Sequence, residues 1–207
     1  MSEDESLKTA VGSEELGSAS ARATRSDALR NRERLVAAAR EAFTEEGTSV
    51  SMESIARRAG VGIGTLYRHF PTRLSVVEAV YVNDVDEMLE TARRTVDEYE
   101  PWEAVSRFFD AFDRYAQTKV ALLAELQQAF EKNPAMRSGA REKIFEAFDI
   151  VIGRAQAAGV IRADVTGSDV SQLLSPVCTN TALDRSQIRR MLDIILEGLR
   201  ASTTAAR

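Results

Sequence analysis

Residues 51–73 read SMESIARRAGVGIGTLYRHFPTR and predict two short helices joined by a tight turn. Ser51 suits the N-cap of the first helix, because its hydroxyl can accept a hydrogen bond from a free backbone N–H of the first turn. The segment Gly60-Val61-Gly62 ends that helix, since glycine adopts turn geometries that other residues resist. Pro71 ends the second helix, because it has no N–H to donate and disfavours helical geometry in the residue before it.

The second helix, at about residues 63–70, has two different faces. At about 100° per residue, Leu66 and Phe70 point to one side and polar residues such as Arg68 point to the other. A helix, a glycine turn and a second helix with a polar outer face form the helix-turn-helix pattern, whose second helix enters the major groove of DNA. The stretch therefore predicts a DNA-binding unit.

The same stretch resembles the DNA-binding signature of the TetR family of bacterial one-component transcription regulators. The run IARRAGVGIGTLYRHFPTR at residues 55–73 carries the resemblance through its Ile-Ala pair, Ala-Gly-Val turn, Gly-Thr-Leu-Tyr, His-Phe and the basic residue three positions after that phenylalanine. The chain departs from the family at Gly62, where a serine often caps the recognition helix and contacts the DNA backbone. A glycine cap costs only a few tenths of a kcal/mol, so we expect the fold without that contact.

Specific DNA binding needs phosphate contacts, which fix the register, and base contacts, which read the sequence. The resemblance implies phosphate contacts at four residues: Ser51, Tyr67, His69 and Arg73. The residues expected to contact bases are Arg68, Thr65, Gly62, Ile63 and Gly64. Arginine can bind guanine through two acceptors, a threonine methyl can contact thymine, and glycine lets the backbone approach closely.

Four of these assignments stay open on the sequence alone. Arg68 could bind a phosphate instead of a base. Ile63 could belong to the core rather than contact a base. His69 and Tyr67 could support the fold as well as contact DNA.

Charge is divided unevenly along the chain, whose formal net charge is −5. Residues 21–73 hold ten arginines against six acids, a net charge of +4, whereas residues 1–20 and 74–207 are both net negative. Local charge sets the attraction to phosphate. The helix-turn-helix segment is therefore the part expected to bind nucleic acid.

Composition predicts a globular protein of the cytoplasm, with 44% hydrophobic and 29% charged residues. No apolar run approaches the eighteen or so residues that a membrane helix needs, so we expect no membrane partner. The single cysteine, Cys178, rules out an intrachain disulfide and fits a reducing compartment. With one cysteine and one histidine, we expect no metal site and no cofactor. Cys178 lies on an apolar stripe, which favours a packed thiol over a redox sensor.

The remaining sequence predicts an all-α protein of about nine helices and no sheet, because no segment alternates with period two. We expect three parts: an acidic disordered tail at 1–21, a three-helix DNA-binding head at 22–73, and a helical ligand-binding and dimerisation body at 74–207. Arg22, Arg25 and Arg30 form either a basic arm that contacts DNA or a solvated approach to the first helix.

Four further helix starts are predicted from capping signals in the body. Thr72 caps a long helix from residue 73 to about 98, and Asn133 precedes a proline at the first helical position. Ser168 is predicted to cap a helix that ends near Thr179. Asp184, with Gln187 three residues later, predicts a capping box for the last helix, which runs to about Ala201.

The last two helices carry more apolar surface than one core needs. Around the last helix, the apolar residues near Ile188 occupy an arc that reaches roughly 200° when Ile194 and Leu196 are included. We therefore predict a two-fold homodimer through a four-helix bundle, although an internal core remains an alternative. The predicted interface residues are Leu173, Leu174, Val177, Ile188, Met191, Leu192, Ile195 and Leu199.

Aromatic residues of the body form the predicted site for a small-molecule effector, because such pockets are mostly apolar with few polar anchors. They are Trp102, Phe108, Phe109, Phe112, Tyr115, Phe130, Phe145 and Phe148. Each could instead be ordinary core. The sequence does not decide which polar residue would anchor the ligand among Asp110, Asp113, Arg114, Glu125 and Gln128.

The resemblance implies a homodimeric repressor that binds a palindromic double-stranded operator and leaves it when the effector binds. An activator or adaptor with the same head is the alternative. An enzyme in the body is a second alternative, but no catalytic residues are predicted, because the one histidine lies in the head and no Ser/His/Asp or Cys/His set can be formed without it.

Overall fold

The computed structural model describes residues 26–201, which form nine α-helices and no β-strand within that range. The predicted all-α architecture is confirmed. The predicted tail at 1–21, with Arg22 and Arg25, lies outside the described residues. An isolated antiparallel bridge pairs Ile161 with Arg200.

The helices follow one another with short connections. Their bounds are α1 at residues 26–46, α2 Met52–Arg58, α3 Ile63–His69, α4 Arg73–Glu98, α5 Pro101–Ala121, α6 Leu123–Lys132, α7 Pro134–Ala157, α8 Gly167–Cys178 and α9 Arg185–Gly198. A short 3-10 helix at Gly47–Ser49 follows α1.

Three helices, α1 to α3, form a small N-terminal head around one apolar core. Phe43 of α1, Ile55 of α2 and Leu66 of α3 are fully buried in it. Gly60 closes α2 with φ of 65°, a left-handed geometry that favours glycine. The N–H of Val61 then donates to the carbonyl of Ala56 at 3.0 Å, which fixes the turn that leads into α3.

Side-chain caps start three of the body helices, α4, α7 and α9, as predicted. Thr72 and Ser75 form a capping box at α4, and Asp184 and Gln187 form one at α9. The Asn133 carboxamide accepts from the N–H of Met136 at the start of α7.

The predicted cap of α8 was wrong. Thr166 caps this helix, and Ser168 already lies inside it. The Thr166 hydroxyl accepts from the N–H of Asp169, while the Asp169 carboxylate accepts from the N–H of Thr166. This reciprocal pair satisfies two free N–H groups at once, which a cap at Ser168 would not do.

The body is built around α4, which packs against α5 and α7, while α8 packs on α7. The rings of Phe108 and Phe112 each meet Phe148 edge to face, with centroids 5.0 Å apart, and these three side chains fill the centre. Gly167 brings α8 close to α7, because a Cβ there would lie 2.6 Å from the backbone nitrogen of Asp149.

Candidate nucleic-acid interface and effector cavity

The helix α3 presents one face to the head core and the other to solvent. Leu66 and Phe70 are buried beneath it. On the outer face, Ile63 is 38% exposed and Tyr67 is 44% exposed, and both are large apolar or aromatic side chains. Ile63 therefore lies outside the core, which removes the core alternative left by the sequence.

Two glycines on this face are not required by the fold. Gly62 has a φ of −69°, which any residue adopts, and a Cβ at Gly62 or Gly64 would meet no atom within 4 Å. Both residues are exposed. The start of α3 is thus a bare stretch of backbone, open to close approach by a binding partner.

Arg68 lies along α3. Its Nε donates to the Gly64 carbonyl at 3.1 Å, and its Nη2 lies 3.4 Å from the Thr65 hydroxyl. The guanidinium is exposed and forms no ion pair with a carboxylate in the described part of the chain. It is free to turn towards a base edge or a phosphate.

The residues predicted to contact phosphate have different surroundings. Ser51 caps α2 by accepting from the N–H of Ser54 at 3.1 Å, as predicted from the sequence. Tyr67 points outward, whereas His69 is half-buried, with its ring 6.3 Å from that of Phe70. Ser51 thus stabilises the start of α2, and His69 packs at the end of α3.

Arg73 joins the head to the body. It donates to the Val50 carbonyl, its guanidinium carbon lies 5.0 Å from the centre of the Phe43 ring, and its Nε lies 3.5 Å from Glu125 of α6. A DNA contact by Arg73 would therefore be combined with a structural role that the sequence did not indicate.

Other arginines of the head are held by local partners. Arg58 pairs with Glu45 and Glu46, which fastens α2 to α1. Arg30 pairs with Asp27 at the exposed start of α1. The alternative that Arg30 approaches DNA therefore requires this surface pair to open, which costs little.

A cleft of about 1090 Å³ opens in the body, between α4, α5, α6, α7 and α8. Its residues combine aromatic and apolar side chains with three cations and a row of small polar groups. They are Tyr81, Phe112, Tyr115, Ala116, Lys119, Leu123, Gln127, Phe130, Glu131, Pro134, Arg137, Ala140, Arg141, Ile144, Phe145, Ser171, Gln172, Ser175 and Thr179.

The cleft contains four of the aromatic residues predicted for the effector: Phe112, Tyr115, Phe130 and Phe145. The other four do not line it. Phe108, Phe109 and Phe148 are buried in the core, because they lie on the inner faces of α5 and α7. Trp102 lies elsewhere, with the Arg200 guanidinium 3.7 Å from its ring centre.

None of the polar residues considered as anchors lines this cleft. Asp113 pairs with Arg185 and Asp110 pairs with Arg189, so both join α5 to α9. Glu125 lies 3.5 Å from Arg73, and Gln128 is exposed. Arg114 lines a second cavity instead.

Tyr81, Lys119 and Arg137 line the cleft and were not predicted from the sequence. Burial raises the pKa of both Tyr81 and Tyr115. The contact between the two side chains opposes this shift in Tyr81 and adds to it in Tyr115. Burial, and then the charge of Arg137, lowers the pKa of Lys119. These residues come from α4, α5 and α7, and no local pattern joins them.

The second cavity, of about 530 Å³, lies between the head helix α1 and the body helices α4 and α5. Tyr115 lines both cavities. On the head side, Arg40 of α1 pairs with Glu87 and lies 3.5 Å from Asp84, both on α4. The cleft and the contact between head and body are thus neighbours.

The apolar surface of α8 and α9 divides into buried and exposed residues, and both kinds occur among the eight residues predicted for the interface. Five of the eight residues are buried in the chain's own core and have little surface left for a second copy: Leu174, Val177, Ile188, Leu192 and Leu199. Leu173 is 52% exposed, Met191 is 38% exposed and Ile195 is half-buried. Ile194, which widened the predicted arc, is 71% exposed.

Cys178 is buried, and burial raises the pKa of its thiol to about 12, with a further contribution from Asp113. Such a thiol stays protonated at neutral pH and is a poor nucleophile. Residues 26–201 contain no cluster of three or more potential metal ligands. No helix in the same range is long and apolar enough to cross a bilayer.

Two family models match most of the chain. Residues 35–80 match the model described as bacterial regulatory proteins, tetR family. Residues 100–201 match the model described as transcriptional regulator SbtR-like, C-terminal domain. The first match covers the helix-turn-helix. The second covers α5 to α9, which include every helix around the cleft except α4, and the apolar surface of α8 and α9.

Curated relatives are transcription regulators. The HTH-type transcriptional regulator UidR of Escherichia coli K12 is 29% identical over 157 residues, which cover 72% of this chain and 78% of UidR. An HTH-type transcriptional regulator of Staphylococcus aureus USA300 is 29% identical over 126 residues, which cover 60% of this chain and 68% of that protein.

Solved structures share the whole fold. A TetR transcriptional regulator from Streptomyces coelicolor is 34% identical with a TM-score of 0.75, and the match covers 83% of this chain and 99% of that one. A TetR transcription regulatory protein from Mycobacterium vanbaalenii is also 34% identical, with a TM-score of 0.71 and coverage of 86% and 99%.

Proposed function

This chain belongs to the TetR family and is a DNA-binding transcriptional regulator, and we propose that it acts as a homodimeric repressor of a palindromic operator, from which a small molecule in the body cleft releases it. The single observation that carries the proposal is the outer face of α3. This face is bare backbone at Gly62 and Gly64, followed by exposed Tyr67 and Arg68, on a helix held by buried Leu66.

Different residues of α3 contact the bases and the phosphates. Gly62, Ile63 and Gly64 let the start of the helix approach the bases, with Thr65 and Arg68 one turn further along. Tyr67 contacts the phosphate backbone, supported by Ser51, His69 and Arg73 at the edges of the face. Gly62 supplies no hydroxyl for a phosphate, so the remaining phosphate contacts carry more of the affinity.

The second copy docks on α8 and α9. Leu173, Met191 and Ile194 form an exposed apolar face there, with Ile195 at its edge. A two-fold axis through this face gives a self-complementary four-helix bundle. It sets the separation of the two copies of α3, which must match successive major grooves about 34–36 Å apart.

Release requires the effector to favour a state in which this separation no longer fits. The cleft is well placed for that, since Ser171 and Ser175 line it from α8, and α8 also carries Leu173 of the dimer face. On the other side, Tyr115 lies between the cleft and the cavity beneath α1. A ligand in the cleft therefore touches elements that connect to both the partner and the head.

In vitro transcription from a promoter that carries the bound operator tests the proposal. We expect less transcript as the protein is added, and recovery when an effector is added. An increase in transcript would instead support the activator alternative. If the protein binds no double-stranded sequence, the proposal that α3 contacts DNA is contradicted.

A further inference from the structure

The charges around the effector cleft are unbalanced. Lys119, Arg137 and Arg141 line it, against one acid, Glu131. Lys119 is half-buried, whereas the two arginines and Glu131 are exposed. None of the three cations forms an ion pair with a carboxylate in residues 26–201. Ion pairs in that range, such as those that join α4 to α7, α5 to α9 and α1 to α4, use other residues. The cleft thus carries a local excess of positive charge beside apolar walls.

The geometry points to an effector that carries an anionic head group, such as a carboxylate, on an apolar body. This inference rests on the proposed function of the cleft as the effector site. Lys119 and Arg137 bind the anion, and the rings of Phe112, Phe130 and Phe145 cover the apolar part. A partly buried cation without a partner is costly, and an anionic ligand supplies the missing charge through charge-assisted hydrogen bonds.

Two features give Lys119 the main part in this recognition. It is half-buried on α5, and the only nearby charge that affects its pKa among the described residues is the positive charge of Arg137. Arg141 and Arg137 lie one turn apart on α7, with their guanidinium groups 4.9 Å from the Phe145 ring centre and 5.9 Å from the Phe130 ring centre respectively. The α7 cations therefore sit over the same rings that would hold the apolar body.

The smaller cavity supplies an internal comparison. Its lining includes Arg40, Arg94 and Arg114, but also four acids, among them Asp84 and Glu87. Its charges are balanced by ion pairs such as that between Arg40 and Glu87. The preference for an anion therefore belongs to the larger cleft.

Three probes that share one naphthalene ring test the inference on the full-length protein without DNA. They are 2-naphthoate, naphthalene-2-methanol and 2-naphthylmethylammonium, which are anionic, neutral and cationic. We expect calorimetry to give an affinity for 2-naphthoate about tenfold or more above that for the alcohol, with the ammonium weakest. Equal affinities, or no binding of 2-naphthoate at millimolar concentration, would overturn the inference.

Matched variants test whether Lys119 causes the preference for 2-naphthoate. Lys119→Met should remove most of the preference for 2-naphthoate, while Lys119→Arg should keep it. Lys143→Met is the control, because Lys143 pairs with Asp86 on the outside of the body and does not line the cleft. A preference unchanged in Lys119→Met would assign anion binding to another place and overturn the inference. Thermal unfolding of each variant checks that the fold is retained.

Release of the operator is measured in a separate experiment, with operator DNA and the same protein variants and probes. Binding of 2-naphthoate that depends on Lys119 supports the anionic class even when the operator stays bound, and in that case the proposed release mechanism is the part that fails. Release of the operator by the alcohol as efficiently as by 2-naphthoate would contradict the anionic class while leaving the repressor intact.

Discussion

The Oδ1 atom of Asp84 lies 3.5 Å from Nη1 of Arg40, so a buried carboxylate of α4 faces a guanidinium of the head helix α1. Asp84 is 7% exposed, and this oxygen accepts no hydrogen bond, while Arg40 donates to Glu87. Burial raises the pKa of Asp84 to about 6, although the charge of Arg40 opposes the shift. The head is thus joined to the central helix of the body by a titratable contact.

We predict from this contact that the contribution of Asp84 to the free energy of unfolding decreases as the pH rises through the acid range. The folded pKa of Asp84, about 6, lies above its ordinary value of 3.8, so the folded state binds more protons between these values. The contribution is fully present below pH 3.8 and is lost as pH rises through about 6. Urea unfolding at about pH 4 and about pH 7 should show a loss of up to about 3 kcal/mol from this group.

Asp84→Asn cannot titrate at this position, so its free energy of unfolding should fall less than that of the wild type over the same pH interval. Asp86→Asn is the matched control, because Asp86 lies exposed on the same helix and should retain the wild-type dependence. Identical pH profiles for wild type and Asp84→Asn would contradict the role of Asp84.

Gly64→Ala should separate stability from DNA binding. A Cβ at Gly64 meets no atom within 4 Å, and alanine favours a helix over glycine by up to about 1 kcal/mol. The free protein should therefore unfold at the same or a higher temperature. Its affinity for operator DNA should nevertheless fall, because the methyl group prevents close approach of the backbone to the bases.

Gly153→Ala is the control for this change. Gly153 lies in the interior of α7, is exposed, and also has open space around its Cβ position. It should gain helix stability without any change in DNA affinity, as measured by fluorescence anisotropy. Full DNA affinity in Gly64→Ala would mean that the start of α3 does not approach DNA closely.

Arg68 and Tyr67 should contribute differently to operator binding, Arg68 to the base preference and Tyr67 to the affinity for all sequences. Arg68→Ala should weaken the preference at one base pair by about 1–3 kcal/mol, if its guanidinium leaves Gly64 to bind a base. Tyr67→Phe should weaken binding to all sequences by about 1 kcal/mol, since only a phosphate contact is lost. Binding to single-base variants of the operator distinguishes the two, and Arg154→Ala in the body should change neither. An unchanged base preference in Arg68→Ala would assign Arg68 to a phosphate.

Ile194→Asp should yield a monomer with much weaker operator binding. Ile194 is 71% exposed on α9, and a charge there would be desolvated against the second copy. Val82→Asp, at an apolar α4 residue that is 41% exposed, should leave the dimer intact. Light scattering after size-exclusion chromatography measures the mass of each variant. A dimer that survives Ile194→Asp would require a different interface.

The sequence predicted the head well because its signals are local. Leu66 and Phe70 are one helical turn apart and were expected to be buried, and they are. The turn at Gly60 was expected from glycine and has the left-handed φ that glycine allows. Each of these features depends on residues within a few positions, which is the range over which helix periodicity and turn chemistry act.

The cleft could not be predicted in the same way. Phe108 and Phe112 lie one turn apart on α5, belong to the same residue type and are both buried in the core, yet only Phe112 also lines the cleft. Lys119 and Arg137 come together only because α5 and α7 pack in the body. On α9, the wide apolar arc indicated two buried faces, but it did not distinguish Leu192, which faces the chain's own core, from Ile194, which faces solvent.

Selection of bound sequences from random double-stranded DNA by the purified full-length chain tests the central claim most directly. The account predicts enrichment of a palindrome whose half-sites lie about one helical turn apart, bound by two copies with strong salt dependence. Absence of any enriched sequence, or an asymmetric site bound by one copy, would contradict it.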